Sequence, residues 1–166
     1  MRGKNVRSLV TNALVAAIYV AIFYLLPEFA YGPLQFRLSE GLNHLNIYHP
    51  KYKWGVIAGV FISNLYGFAN GLGWYDLVFG TLHTALSFFI CDWLFRQIKE
   101  EKFRYLTTIL VFSVMIFIVA LELKMAFDLP FWATYFTTFI SEVFILSLTA
   151  PVMAFINRRV KFAKQI

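Results

Sequence analysis

The sequence predicts an all-α membrane protein of six transmembrane helices with both termini on the inner side. Three observations carry this expectation. Of 166 residues, 60% are hydrophobic and only 14% are charged, against about 45–50% and about 25% in soluble domains. The charges leave gaps of membrane-crossing length. The basic residues fall almost entirely on alternate connections. A soluble domain of this size keeps about 30% of its area exposed, and this composition cannot supply that much polar surface. A single cysteine, Cys91, excludes an intrachain disulfide framework, and an aromatic content of 19% excludes disorder. At about 20 residues per span, the chain holds at most about six spans. It reads as one integral membrane domain over residues 1–166, with no room for an appended catalytic domain.

The elements follow from the uncharged runs. Ser8 to Pro27 is a full span preceded by Arg2, Lys4 and Arg7. It is too long for a signal peptide, and no small-residue cleavage site follows it. Trp54 to Tyr75 is a second run, with its helical part ending near Gly67, Gly71 and Gly73. Leu77 to Cys91 is a third, Tyr105 to Leu121 a fourth, and Pro130 to Asn157 a fifth, interrupted once by Glu142. The chain must also return between Pro27 and Trp54. The stretch Arg37 to Tyr48 is therefore expected to form a sixth, shorter and more polar helix, shielded from lipid by its neighbours.

Orientation follows from the cations. With the N-terminus inside, thirteen of the fifteen Lys and Arg residues lie on inner segments, leaving only Arg37 and Lys124 in the outer half. The net charge of +6 thus reads as a topology signal beside anionic lipid rather than a nucleic-acid footprint.

The acids are sorted the other way. Six of the nine carboxylates lie toward the outside: Glu28, Glu40, Asp76, Glu122, Asp128 and Glu142. Glu28 and Asp128 read as solvated loop residues, whereas the other four sit in or against helices. Glu142 is the deepest, 11 residues after Phe131, or about 16 Å along a helix. A charge at that depth is costly unless paired, and such residues mark binding sites, pathways or structural pairs. For Glu142 the candidate partners are Arg37 and Lys124. Glu122 and Lys124 are two apart and face different ways, while Arg37 and Glu40 are three apart and can pair.

Aromatic residues crowd the same outer ends: Tyr31, Phe36, Trp74, Tyr75, Phe131, Trp132 and Tyr135. An interfacial belt accounts for any one of them. Together with carboxylates they also suit a flat heterocycle, whose N–H edge a carboxylate accepts and whose face a ring covers. A second carboxylate could meet an amine. His44, His49, His83 and Cys91 lack the spacing of a metal site. Ser39 and Ser63 have no base nearby in sequence, which argues against a hydrolase.

Ala13, Ala17 and Ala21 recur every four residues on the first helix, and Gly55 and Gly59 form a second small-residue pair. Such faces admit a closely approaching helix, either within the bundle or from a partner. No phosphate-binding G-x-x-x-x-G-K-[ST] loop is present, so the chain does not itself use ATP in that manner, and energy for pumping would come from partners or an ion gradient.

The run Tyr31-Gly32-Pro33-Leu34-Gln35-Phe36-Arg37-Leu38-Ser39-Glu40 resembles the signature of the QueT family. So do Asp76-Leu77-Val78-Phe79-Gly80-Thr81-Leu82 and Leu129-Pro130-Phe131-Trp132. The similarity runs from Ala13 to about Pro151. Gly41 stands where the family pattern has alanine, and His44–Tyr52 is more polar than that pattern; both departures fall on the second helix. The family comprises substrate-binding S components of energy-coupling factor (ECF) transporters assigned to queuosine precursors.

The resemblance implies an S-component bundle of six helices in the cell membrane. It implies a transmembrane coupling subunit and two ATP-binding subunits as partners, and no cofactor. The implied ligand is a 7-deazaguanine, such as 7-aminomethyl-7-deazaguanine, or queuine. The alanine stripe Ala13, Ala17 and Ala21 resembles the surface by which S components dock the coupling subunit.

From depth and chemistry, Glu142 and Asp76 are expected as the principal polar contacts to the ligand. Glu40, Glu122, Gln35 and Arg37 are further candidates, and Trp132 or Trp74 is expected to stack on it. Rival readings are an S component for another small molecule or vitamin, and an ion-coupled carrier with Glu142 and Glu122 on a proton path. A small membrane enzyme has no nucleophile–base pair or metal cluster to support it.

Overall fold

A computed structural model describes residues 2–25, 35–69 and 74–166. Pro27, Glu28, Tyr31, Gly71 and Gly73 lie outside the described residues. Among those described, the regular structure is entirely helical. Helix α1 spans Arg2–Leu25. A 3-10 helix, Leu38–His44, runs directly into a single α-turn, α2, Leu45–Tyr48. Then come α3 (Tyr52–Gly67), α4 (Trp74–Phe95), α5 (Glu101–Met115), α6 (Phe117–Phe127) and α7 (Phe131–Val160). A short 3-10 turn, Phe162–Lys164, ends the chain's regular structure.

Four segments are long and apolar enough to cross a membrane: Asn5–Leu25, Trp74–Phe95, Glu101–Phe127 (α5 and α6 together) and Phe131–Val160. Helix α3 has 16 residues, about 24 Å at 1.5 Å per residue. The segment expected as a short polar helix is largely 3-10 in geometry. Its seven 3-10 residues and four α residues rise about 20 Å. Ser39, Glu40, Asn43, His44, Leu45, Asn46 and Ile47 are all buried along it, and it packs against α1 and α7. The shielding expected of so polar a segment is present.

The fourth uncharged run is broken at Ile116, between α5 and α6. In a continuous helix the Ile116 N–H would bond the Phe112 carbonyl. That carbonyl takes a hydrogen bond from His83 Nε2 at 3.0 Å. A side chain that enters the helix ladder in this way is a recognised cause of a break. Pro151 sits inside α7, which continues past it to Val160.

Tyr19, Val56, Val60, Phe88, Phe112 and Leu146 form the middle of the apolar core, which joins α1, α3, α4, α5 and α7. Charged and polar contacts gather the basic segments at one end. Arg7 Nη2 donates to the Lys164 carbonyl at 2.7 Å and Thr11 Oγ1 to the Gln165 carbonyl at 3.0 Å. Tyr52 donates to the Phe162 carbonyl at 2.9 Å, Lys53 pairs with Asp92, and Arg104 Nε donates to the Ile98 carbonyl at 2.8 Å. Toward the other end, the Tyr24 and Tyr66 rings meet edge to face at 5.5 Å.

The two small-residue faces separate. Gly55 and Gly59 are where α3 presses on α1. A β-carbon on Gly59 would lie 2.7 Å from Tyr19 Cβ, and one on Gly55 would lie 2.7 Å from the Asn12 carbonyl. This pair therefore packs inside the bundle. Replacing Gly59 with alanine is expected to cost about 1–3 kcal/mol by overpacking, read as a lower thermal unfolding midpoint in detergent. Ala13, Ala17 and Ala21 are exposed, while their neighbours Val15, Ala16 and Tyr19 are buried.

Candidate functional site

Four carboxylates and one guanidinium lie buried toward the end opposite the basic segments. Arg37 sits just before the 3-10 helix, and its Nη2 pairs with Asp76 Oδ1 of α4 at 3.0 Å. Its Nη1 donates to Asn64 Oδ1 at 3.3 Å, and Asn64 Nδ2 donates in turn to the Asp76 carbonyl at 3.0 Å. Gly80 makes this arrangement fit: a β-carbon there would stand 2.6 Å from Asn64 Nδ2 and 3.0 Å from Asp76 Oδ1. The pairing expected at three-residue spacing was Arg37 with Glu40. Arg37 instead reaches α4. Its backbone, at φ −99° and ψ 88°, is outside the helix, so helical spacing does not govern its direction. Glu40 accepts from Tyr19 Oη at 2.7 Å and from Asn43 Nδ2 at 2.5 Å.

Glu142, on α7, is 6% exposed, and its Oε1 is buried with no hydrogen-bond partner among the described residues. Glu122, on α6, is 1% exposed and leaves Oε2 in the same condition. It lies within electrostatic reach of Asp76 and Arg37, as Glu142 does of Glu40 and Arg37. Lys124 is exposed, in keeping with the opposed faces expected of Glu122 and Lys124.

A small cavity of about 10 Å³ lies among Gln35, Arg37, Glu40, His83, Thr138 and Glu142, floored by Ile116 and Val119. That is room for about one water molecule. The 3-10 segment, α4, α5–α6 and α7 thus converge on one point. Gln35 holds φ at 47°, the left-handed region, where a residue with a β-carbon carries strain of the kind that collects at functional sites.

The structure brings together Gln35, Arg37, Glu40 and Glu142 at the cavity, with Asp76 behind them on Arg37 and Glu122 within electrostatic reach of both. It does not bring Trp74 or Trp132 there. Trp132 is 68% exposed, against Phe131 and Tyr135, and Trp74 stacks on Tyr75 at 4.5 Å. The ring that does line the described cavity is His83, which sequence reasoning weighed only as a metal ligand. Its signal was spacing. His83 follows Asp76 by seven residues, two helical turns, on the polar face that continues through Thr84 and Ser87. Thr138 likewise precedes Glu142 by four on the buried face of α7. Because a carbonyl only accepts, the His83–Phe112 bond places a proton on Nε2, so a neutral ring presents Nδ1 as an acceptor.

Residues 9–158 match the family model described as QueT transporter. The chain is also similar to the queuosine precursor transporter QueT of Lactococcus lactis subsp. cremoris (strain MG1363), with 32% identity over 173 aligned positions. The alignment covers 99% of this chain and 100% of that protein. No solved structure matches the chain. The four long apolar helices, together with a transporter family, make it a multi-pass membrane protein whose role is transport rather than catalysis. Since the match covers nearly the whole sequence, the chain belongs to the QueT transporter family.

Proposed function

We propose that this chain is the substrate-binding S component of an ATP-driven importer of the ECF type. In this reading it is a single six-span domain of the cell membrane that takes up a queuosine precursor of the 7-deazaguanine class. The observation that carries the reading is the end-to-end similarity to a protein named as a queuosine precursor transporter. Two features support it. The basic segments meet at one end of the bundle and the buried acids lie toward the other. That arrangement suits both termini inside and a site opening outward. The exposed face of Ala13, Ala17 and Ala21 suits close docking of a coupling subunit. Beside it, Leu14 and Ile18 face an apolar groove of about 730 Å³ that extends to Leu42, Val152 and Met153.

In the binding step, Glu142, Glu40 and the Nδ1 of His83 offer acceptors to the donor-rich edge of a guanine-like ring. Arg37 and Gln35 offer donors to its carbonyl. Asp76 holds the Arg37 guanidinium, and Glu122 lies within its electrostatic reach. A bicyclic ligand needs more room than the described cavity provides, so binding requires its lining side chains to move apart.

The test is uptake of a labelled 7-deazaguanine into vesicles, with mass spectrometry of any small molecule that co-purifies with the chain. Uptake is expected to need ATP together with the coupling and ATP-binding subunits, and the co-purifying mass to be that of a 7-deazaguanine. A vitamin mass would make it an S component for another solute. Uptake by the chain alone would make it an ion-coupled carrier.

A further inference from the structure

The charges around the cavity do not balance. Arg37 and Asp76 form one ion pair, which leaves Glu40, Glu122 and Glu142 without a second buried cation among the described residues. Glu40 is held by two donors, Tyr19 and Asn43. Glu142 lines the same cavity as Glu40, is more than nine-tenths buried, and keeps Oε1 unpartnered. His83 adds a further acceptor to that lining, because its donor is committed to the Phe112 carbonyl. The Thr138 hydroxyl donates to its own helix, to the Thr134 carbonyl at 2.8 Å. The lining is thus rich in acceptors and in carboxyl groups. An unpartnered buried acceptor is costly to keep, and an uncompensated buried charge is costlier still. Both costs are removed when the ligand supplies a cation with N–H donors.

We propose that Glu142, with Glu40 beside it, forms a subsite for a protonated amine. The chain then selects cationic 7-deazaguanines over neutral ones that share the same ring. The inference rests on the 7-deazaguanine reading above and narrows it to ligands bearing an ammonium group. The ring is bound by contacts common to both kinds of ligand, and discrimination comes from the charge-assisted hydrogen bonds of the amine.

The experiment is equilibrium binding to the purified chain in nanodiscs, with three probes. The first carries a 7-aminomethyl group, the second a 7-nitrile, and the third the N-acetylated aminomethyl group, which is as long but uncharged. The aminomethyl probe is expected to bind about 100-fold more tightly than either neutral one, the scale of a charge-assisted hydrogen bond in a desolvated site. Glu142→Gln is expected to bring the ratio within a few-fold, because the aminomethyl probe loses far more affinity than the nitrile probe, and thermal unfolding in the same nanodiscs reports that the variant is folded. Should Glu142→Gln fail to fold, Glu142→Asp keeps the charge but withdraws it by one methylene. It is expected to weaken the aminomethyl probe by about tenfold more than the nitrile probe.

Equal affinity of the wild-type chain for all three probes overturns the charge selection and leaves the 7-deazaguanine reading standing. A preference that survives Glu142→Gln, or Glu142→Asp where that variant is the one used, overturns the assignment of the subsite. Binding of none of the probes overturns the 7-deazaguanine reading itself.

Discussion

Replacing Arg37 with methionine is expected to destabilise the protein by about 3–5 kcal/mol and to abolish ligand binding. Arg37 is the one buried guanidinium among the described residues, and four buried carboxylates stand around it. It pairs directly with Asp76 at 3.0 Å, and Glu122 and Glu142 are within electrostatic reach. Methionine keeps most of the volume and the apolar stem. The loss is therefore that of a compensating charge, the case in which breaking a buried pair is most costly. Asp76→Asn alone is expected to cost less. It leaves Arg37 facing Glu122, Glu142 and Glu40, and it removes one like charge from the group. The double variant should recover part of the loss, because position 76 then carries no charge left without its partner. Thermal unfolding of the four proteins in one detergent gives the cycle, and a coupling of at least about 1 kcal/mol between the two positions is expected for residues in contact. Equal stability of Arg37→Met and wild type would mean that the acids are held neutral without Arg37.

Much of this organisation is legible in the amino-acid sequence, for reasons that differ from residue to residue. Helix positions follow from where charges are absent, and a lipid environment makes that signal strong: the run opening near Ser8 is α1, and the run interrupted by Glu142 is α7. The gathering of Glu40, Asp76, Glu122 and Glu142 follows from the outer half in which each is placed, on elements that pack side by side. Direction is not legible in the same way. Whether Arg37 turns to Glu40 or to Asp76 depends on a backbone outside the helix, which carries no periodicity. The broken α5–α6 helix is hidden as well. Its sequence there holds neither proline nor glycine, and the competing donor, His83, is remote in the chain. Trp74 and Trp132 stand off the described cavity, and an aromatic near a helix end serves an interface as readily as a ligand.

Replacing Ala17 with tryptophan is expected to reduce uptake to background while leaving ligand affinity within a few-fold of wild type. Ala17 is exposed in the described structure, midway along the stripe Ala13, Ala17 and Ala21. Nothing inside the bundle would be displaced by a larger side chain there, so the fold and the acid-lined site should survive. A coupling subunit that approaches over small residues would be held several ångströms away, and the close backbone packing that drives association in lipid would be lost. Ala16, one position earlier, is the informative control. It is buried, and a β-carbon on Gly59 would stand 3.2 Å from its carbonyl. Ala16→Trp is therefore expected to lower stability and binding together. The two neighbouring substitutions should fail in different assays: one in co-purification with the coupling subunit and in uptake, the other already in unfolding and ligand binding. Wild-type uptake by Ala17→Trp would move the docking surface off this face. Loss of binding in the same variant would mean that the alanines pack within the bundle, and the exposed stripe would then have to close against another part of this chain.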